Sequence, residues 1–319
     1  MAARRPVLAA AVAHEVVRLG RDMLESRIGT AARGTGTAAR GTGTAPRGVG
    51  TADRWTRTNH RGEPVSLLEG PAVAAGLLAG GLAGAGGLRA AAAATVATAS
   101  GAAFGLADDL VEDPTDRAKG LRGHLGALAH GRLTTGGLKV LGIGASALVA
   151  AAVATPLPPA GSGGRRGWVA DVLASGALIA GSANLANLLD LRPGRALKAA
   201  ALCAGPLALA GGRGAGLAAA VVGAGAGALP RDLGELDMLG DGGANAVGAM
   251  LGTAVVLDAP RVVRLLALGG VVALTLASER VSFSAVIARH GILRELDEWG
   301  RRPAERGAAR SVAVPDHPA

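Results

Sequence analysis

Residues Ala90–Asp109 read AAAAATVATASGAAFGLADD. The uncharged run Ala90–Ala107 falls within the roughly 17–25 apolar residues that a helix needs to cross a bilayer. The adjacent carboxylates of Asp108 and Asp109 then follow at one end of this run. The stretch therefore predicts a membrane helix with a pair of acidic side chains at one mouth.

The composition of the whole chain agrees with this interpretation. The chain has 319 residues, half of them apolar, with 52 Gly, two Phe and no Tyr, and its mean hydropathy is +0.36. A large soluble core needs bulky side chains to reach native packing density, whereas small residues in long uncharged runs suit helices that pack closely in lipid. Two soluble domains, or disorder of the whole chain, are therefore excluded.

The hydropathy pattern predicts an all-α fold, a multi-pass integral membrane helical bundle of about eight transmembrane helices. Four runs are long and free of charge, and four are shorter. The eight runs are Gly70–Leu88, Ala90–Ala107, Val140–Gly164, Val172–Leu189, Ala199–Gly212, Gly214–Pro230, Gly242–Leu257 and Leu265–Ser278.

The distribution of basic residues predicts the orientation. If Ala90–Ala107 runs inward, most Lys and Arg residues between Trp55 and Arg302 fall on the cytoplasmic side, as the positive-inside rule requires. The net charge of +9 is then explained by membrane topology, and we expect no nucleic-acid partner. The predicted location is the inner (cytoplasmic) membrane, with the polar loops that carry the candidate site on the cytoplasmic side.

The chain divides into three parts. Residues 1–54 contain the repeats GTGTAAR, GTGTAPR and GVGTADR between Gly34 and Arg54. These repeats have no apolar face and favour a flexible basic tail. Residues 55–302 form the predicted transmembrane domain, and residues 303–319 are expected to be a flexible C-terminal tail.

The pair Asp108-Asp109 is the first candidate site. Adjacent buried carboxylates repel each other unless a cation neutralises them, and Mg²⁺ accepts such oxygen ligands while keeping room for phosphate oxygens. A solvated acidic loop, continuing through Glu112, Asp113 and Asp116, is the alternative. Lys119 and Lys139 follow in a chain whose usual cation is Arg, and each is a candidate phosphate ligand or an ordinary positive-inside charge.

Two further polar groups interrupt the apolar pattern on the same predicted side. Asn184, Asn187 and Asp190 share a helix face at the end of the fourth run, where they line a ligand or act as packing contacts between helices. Asp241 lies in the glycine-flanked turn Gly240–Gly243 at the start of the seventh run. A metal-bound phosphate suits such a turn, although a helix N-cap alone would also explain the aspartate.

These motifs, in this order, resemble those of the polyprenyl-phosphate N-acetylhexosamine-1-phosphate transferases, the glycosyltransferase family 4 enzymes that include phospho-N-acetylmuramoyl-pentapeptide transferase. The family has an Asp-Asp pair, an Asn-x-x-Asn-x-x-Asp helix end and a Gly-Asp-x-Gly turn. Here these are similar to Asp108-Asp109, to Asn184, Asn187 and Asp190, and to Gly240–Gly243. The loop Arg57–Pro64 is similar to the first cytoplasmic loop of the family.

The resemblance implies a phosphotransferase. A polyprenyl phosphate would attack the β-phosphate of a nucleotide-diphosphate sugar, in the synthesis of peptidoglycan or another envelope polysaccharide. The implied cofactor is Mg²⁺, with Mn²⁺ as an alternative, held by Asp108, Asp109 and Asp241. Asp108 or Asp109 would accept the proton of the lipid phosphate. Substrate would be bound by Lys119, Lys139, Asn184, Asn187 and Asp190. A homodimer is left open.

Two departures from the family pattern keep other functions open. Leu191 and Pro193 stand where the family usually has Gly and a second Asp, and the segment Glu279–Arg302 contains only His290 in place of a histidine-rich loop. A catalytically inactive relative that binds the lipid carrier or acts as a scaffold is therefore the first alternative. A UbiA-type membrane prenyltransferase, using Asp109, Asp113 and Asp116 to bind a diphosphate, is the second.

Overall fold

The computed structural model describes residues 4–36, 53–111, 135–159 and 164–303. Most of these residues are helical, which confirms the all-α prediction. The helices are α1 (Arg4–Gly36), α2 (Glu69–Gly84), α3 (Leu88–Val111), α4 (Thr135–Ala154), α5 (Arg165–Leu189), α6 (Arg195–Ala210), α7 (Ala215–Leu233), α8 (Gly240–Asp258), α9 (Arg261–Ser278), α10 (Phe283–Arg289) and α11 (Gly291–Glu298). Strands β1 (Thr56–Thr58) and β2 (Pro64–Ser66) form an antiparallel hairpin.

A helix lies over each of the eight predicted runs. Within the described ranges, four helices are long and apolar enough to cross a membrane: Leu88–Val111, Gly136–Ala154, Arg165–Leu189 and Arg261–Ser278. The last of these, α9, has no fully buried residue. Ala267, Leu268 and Val271 pack against the bundle, and most of its other apolar side chains are exposed. An exposed apolar helix is typical of a surface that faces lipid or a partner, and the chain is a membrane protein.

The third predicted run ends earlier than expected. Helix α4 stops at Ala154, although the uncharged sequence continues to Gly164. Pro156, Pro158 and Pro159 follow the helix directly, and proline cannot donate the backbone hydrogen bond that a helix interior requires. Hydropathy therefore located the run correctly, but proline sets where the helix ends.

Helix α8 lies at the centre of the bundle and packs through small residues. Most of its residues are buried. A Cβ atom added to Gly101 of α3 would lie 2.9 Å from the carbonyl oxygen of Asn245, and one added to Gly252 would lie 2.9 Å from the Cα of Ile179 on α5. Such close backbone approach is available only to glycine and explains the glycine content of these helices.

The predicted flexible tail over residues 1–54 needs correction, because Arg4–Gly36 forms helix α1. Ala9, Ala13 and Val17, spaced four residues apart, are at most 1% exposed and pack against α2 and α7. A Cβ on Gly80 would lie 2.6 Å from the carbonyl oxygen of Ala9. Ala9, Ala13 and Val17 form a narrow stripe of small side chains, which a hydropathy profile does not detect. Glycines on the facing helices leave room for this stripe.

The remaining tail predictions lie outside the described residues. The repeat residues 37–52 and the C-terminal residues 304–319 are not among those described. The first repeat does begin inside α1, since Gly34–Gly36 are helical.

One end of the bundle collects the hairpin and several helix ends. The backbone N–H of Ser66 donates to the carbonyl of Leu236 at 3.2 Å, and the N–H of Met238 donates to the carbonyl of Ser66 at 2.9 Å. The connection between α7 and α8 is thereby fixed to strand β2, beside the first residue of α2. This arrangement brings Glu69, Asp237 and the Gly240–Gly243 turn to the same end.

Candidate active site

A single ammonium group links two of the predicted acidic residues. Lys139 lies in the second turn of α4, and its Nζ is 2.5 Å from Oδ2 of Asp108 at the end of α3. The same Nζ also donates to Oδ2 of Asp241 at the start of α8. All three side chains are largely shielded from solvent, where charge-assisted hydrogen bonds are strong. The geometry thus gives two carboxylates that converge on one cation.

Asp109 has a different position from its neighbour. Its Oδ1 accepts the backbone N–H of Asp241 at 3.1 Å, and its Oδ2 accepts the N–H of Gly242 at 2.9 Å. These are two of the N–H groups that a helix N-terminus leaves without intrahelical partners. Asp109 therefore caps α8 from a neighbouring helix and sets the position of Asp241, and the guanidinium of Arg57 donates to the carbonyl of Asp109.

Glycine is required at the entry to α8. Gly240 has a φ of +62°, and a Cβ there would lie 3.0 Å from Oδ2 of Asp109. A side chain would be strained by this left-handed backbone and would crowd the cap. Gly105 of α3 has a similar role, because a Cβ there would overlap the carbonyl oxygen of Asp241.

Asp190 lies close enough to these groups to interact electrostatically. Burial raises the pKa of Asp190 well above its usual value, and the charges of Asp232, Asp241 and Asp109 raise it further, while a hydrogen bond from the N–H of Gly240 lowers it. Because like charges act on each other only over short distances, the predicted aspartates share one region of the bundle.

The two asparagines are partly exposed on the last turns of α5, before Asp190. The carbonyl of Asn187 accepts the N–H of Asp190 at 3.1 Å, which ends the helix. The structure gives Asn184 and Asn187 no hydrogen bond to Asp108 or Asp241, so they flank the cluster. Lys119, with Glu112, Asp113 and Asp116, lies outside the described residues.

A cavity of about 200 Å³ opens beside Asp190. Sequence reasoning missed most of its polar lining, which comprises Asn59, His60, Arg192, Asp232, Glu235 and Asp237. Asn59 donates to Oε2 of Glu235 at 2.8 Å. Burial and the charge of Arg192 lower the pKa of His60, although Glu235 acts in the opposite direction. The three acidic residues in the segment Arg231–Asp237, directly before the glycine turn, could have indicated this polar lining.

An apolar groove of about 330 Å³ lies between α2 and α3 and is also lined by Gly242 of the Gly240–Gly243 turn. Its lining is almost wholly alanine, leucine and glycine, and it ends at Leu106 and Gly242. Gly242 also donates to Asp109. The groove therefore reaches from the apolar surface of the bundle to the acidic cluster.

The carboxylates of this site offer few ligands for a divalent ion. Among the described residues, no group of three or more His, Cys, Asp or Glu side chains is placed to hold a metal ion. Mg²⁺ nevertheless binds through one or two carboxylates, completing its shell with water and phosphate oxygens. Asp108 and Asp241 meet that requirement, since both already face one cation. Asp109 fits less well, because both of its carboxylate oxygens accept backbone N–H groups.

No protein-family model and no curated protein sequence matches this chain.

Proposed function

We propose that this chain is a membrane phosphotransferase that moves a sugar-1-phosphate from a nucleotide-diphosphate sugar to a polyprenyl phosphate. The observation that carries the proposal is the convergence of Asp108 and Asp241 on one cation, beside an apolar groove that ends at the same turn. The groove suits an isoprenoid chain, and the cluster suits its phosphate. The cell-envelope role follows from the sequence resemblance.

The proposed reaction forms one bond and breaks one bond. An oxygen of the lipid phosphate attacks the β-phosphorus of the sugar nucleotide, and the bond between that phosphorus and the bridging oxygen breaks. A nucleoside monophosphate leaves, and a lipid-diphosphate-sugar remains. Catalysis of such a transfer is mostly positioning and charge neutralisation.

Each candidate site residue has a part in this proposal, including Lys119 outside the described ranges. Asp108 and Asp241 would hold Mg²⁺, or Mn²⁺ in its place, and the ion would neutralise diphosphate oxygens. Lys139 would exchange its carboxylate partners for a phosphate oxygen, as a flexible point charge can. Asp109 would position Asp241 and could accept the proton of the lipid phosphate. Asn184, Asn187 and Asp190 would lie on the nucleotide side, and Lys119 would bind phosphate.

The finer topology is part of the same proposal. The eight predicted runs, which lie within or overlap α2 to α9, would span the inner membrane, with the acidic cluster at the cytoplasmic face. A homodimer is compatible with this arrangement. A second candidate function, a lipid-carrier-binding relative without catalysis, is favoured by one observation: Lys139 already neutralises both carboxylates.

The test is nucleoside monophosphate release by the purified protein with Mg²⁺, undecaprenyl phosphate and a panel of UDP-sugars. We expect turnover in the wild type and a loss of about 10²–10³-fold in Asp108→Asn and Asp241→Asn. Asp171→Asn is the matched control. Asp171 lies away from the cluster, and its Oδ1 is 3.1 Å from Nε of Arg261. A folded wild type that releases no nucleotide across the panel contradicts the proposal. Lipid binding without turnover supports the second candidate.

A further inference from the structure

A second cavity, of about 280 Å³, lies between α1, α2 and α7. Its inner wall is apolar and small, formed by Val17 and by residues 226–228 of α7. Its polar lining comprises His14, Arg18, Arg21, Asp22, Glu69, Arg231 and Asp237. The volume is several times the about 30 Å³ that one water occupies in the liquid, so the cavity accommodates an organic group.

Glu69 is the unexplained residue of this cavity. It is 2% exposed, and neither of its carboxylate oxygens has a hydrogen-bond partner. A buried polar group without a partner is costly, and a buried charge without one is more so. The carboxylate of Glu69 therefore lacks a hydrogen-bond donor or cation that would stabilise it.

The neighbouring arginines do not supply that group. Arg21 donates from Nε to Oδ2 of Asp237 at 2.8 Å and from a terminal nitrogen to Oδ1 at 2.6 Å. Arg231 also donates to Asp237. Asp237 also lines the cavity, but it engages both guanidinium groups. Glu69 is thus the buried carboxylate of this cavity that has no hydrogen-bond partner.

The outer part of the cavity carries two arginines beside the exposed Asp22. Arg18 is exposed on α1 and pairs with Glu15, and Arg231 is partly exposed on α7 and pairs with Asp237 and Glu25. Both arginines have long side chains that can turn to an anion at the rim while Glu69 holds a cation inside. The cavity therefore complements a molecule with an inner cation and an outer anion a few bonds apart.

The depth of the cavity indicates which molecule this is. Glu69 is the first residue of α2, and a Cβ on the adjacent Gly70 would lie 2.6 Å from the carbonyl oxygen of Leu239. The cavity is thus level with the entry to α8, where the apolar part of the bundle ends. In a membrane protein this is the depth of the phospholipid headgroups.

We propose that this cavity binds the headgroup of phosphatidylethanolamine. The primary ammonium donates to the carboxylate of Glu69, and the phosphate lies at the rim near Arg18 and Arg231. The acyl chains follow the exposed apolar side chains of α1, such as Val7 and Leu8. This cavity adjoins the one beside Asp190, since Asp237 lines both, but its proposed ligand does not depend on the proposed transferase activity. An ammonium suits a single unpartnered carboxylate, because its N–H groups can donate to both oxygens of Glu69.

The experiment is native mass spectrometry of delipidated protein titrated with phosphatidylethanolamine, phosphatidylcholine or phosphatidylglycerol of identical acyl chains. The first has an N–H donating ammonium, the second a cation without N–H, and the third no cation. We expect the wild type to prefer phosphatidylethanolamine about tenfold, as one charge-assisted hydrogen bond allows. Glu69→Gln should abolish the preference, and Glu279→Gln, on the exposed end of α9, should retain it.

Each other outcome decides against a part of the proposal. Equal affinity of the wild type for the three lipids overturns it, and this comparison holds even if Glu69→Gln does not fold. A preference that survives in folded Glu69→Gln also overturns it. If K⁺ without lipid stabilises the wild type but not Glu69→Gln, the site binds an inorganic cation and the proposal is wrong. Glycerophosphoethanolamine binding as tightly as the lipid would assign it to a soluble amine.

Discussion

Asp109 and Asp241 are 132 positions apart in sequence, yet Oδ1 of Asp109 accepts the backbone N–H of Asp241 at 3.1 Å. The second carboxylate oxygen accepts the next N–H along, from Gly242, at 2.9 Å. The end of α3 is therefore joined to the start of α8 by a helix cap contributed from outside the helix. This cap orients the carboxylate of Asp241 toward Lys139 and explains why two adjacent aspartates have unlike surroundings.

Removing the cap should be more harmful than neutralising it. Asp109→Asn keeps one oxygen that can accept a backbone N–H, whereas Asp109→Ala keeps none, and loss of a cap costs about 0.5–2 kcal/mol. We expect Asp109→Ala to unfold at a lower temperature than Asp109→Asn in the same detergent. Equal melting temperatures for the two variants would contradict a capping role.

Gly105 should be intolerant of any side chain. A Cβ there would overlap the carbonyl oxygen of Asp241, so Gly105→Ala must push α8 away from α3. We expect a loss of about 1–3 kcal/mol in the free energy of unfolding. If the chain is a transferase, we also expect about 100-fold slower turnover, because a displacement near 1 Å can cost that much.

The control for Gly105 is Gly144→Ala on α4. A Cβ at Gly144 would have no neighbour within 4 Å, so this change should be neutral or slightly stabilising, as alanine is a better helix former. Melting temperature and nucleotide release measured on both variants make the comparison. An unchanged Gly105→Ala protein would show that the approach of α3 to α8 is looser than described.

Much of this architecture follows from sequence, because long uncharged runs have few folds available to them. The helices α3, α5 and α8 and the polar groups at their ends were predictable from hydropathy and charge alone. The meeting of Asp108, Lys139 and Asp241 was not, since the direction of each side chain depends on how neighbouring helices pack. The site residues themselves remain predictions until activity is measured.

Helix α1 shows where hydropathy is insufficient. Ala9 and Ala13 bury little area, and His14, Glu15 and Arg18 interrupt the apolar pattern. What holds the helix is the fit of small residues against glycines of α2 and α7, a property of two surfaces rather than of one segment. No single-segment pattern reveals the pairing of Arg21 with Asp237, 216 positions away.

Lys139 should compete with a divalent ion for Asp108 and Asp241. Lys139→Met leaves the two carboxylates facing each other without a cation, and like charges in one site destabilise the fold. We expect the variant to melt lower than wild type without metal and to gain more than wild type from added Mg²⁺, because the ion would replace the ammonium. An equal effect of Mg²⁺ on both proteins would argue against a metal at these carboxylates.

Stability should fall with rising pH because of Asp232, which lies two residues beyond the predicted span that ends at Pro230. Burial raises the pKa of Asp232 to about 7 from 3.8, although the N–H of Gly194 and the charge of Arg301 lower it. Between pH 4 and 7 the folded protein therefore retains a proton that the unfolded chain has lost. The free energy of unfolding should then decrease through that window.

The variant Asp232→Asn removes this dependence while keeping an oxygen to accept from Gly194, which donates to Asp232 at 3.0 Å. Relative to the variant, the wild type should lose up to about 4 kcal/mol between pH 4 and 8. Melting temperatures of both proteins across this range measure the difference. If the melting temperatures of the two proteins change with pH in parallel, the pKa of Asp232 is not raised in the folded protein.

The last prediction concerns what keeps α1 on the bundle. Arg21 and Asp237 are 4% and 2% exposed and share two hydrogen bonds, so Asp237→Asn leaves the buried guanidinium of Arg21 with only the exposed Glu25, at 3.0 Å, as a charge partner. Breaking one side of a buried pair costs about 3–5 kcal/mol, and we expect earlier proteolysis within α1 as well as a lower melting temperature. Arg18→Ala is the control, because its exposed pair with Glu15 is worth at most about 1 kcal/mol. If Asp237→Asn is no worse than Arg18→Ala, the contact of small residues alone anchors the helix, and the buried ion pair adds specificity of position without adding stability.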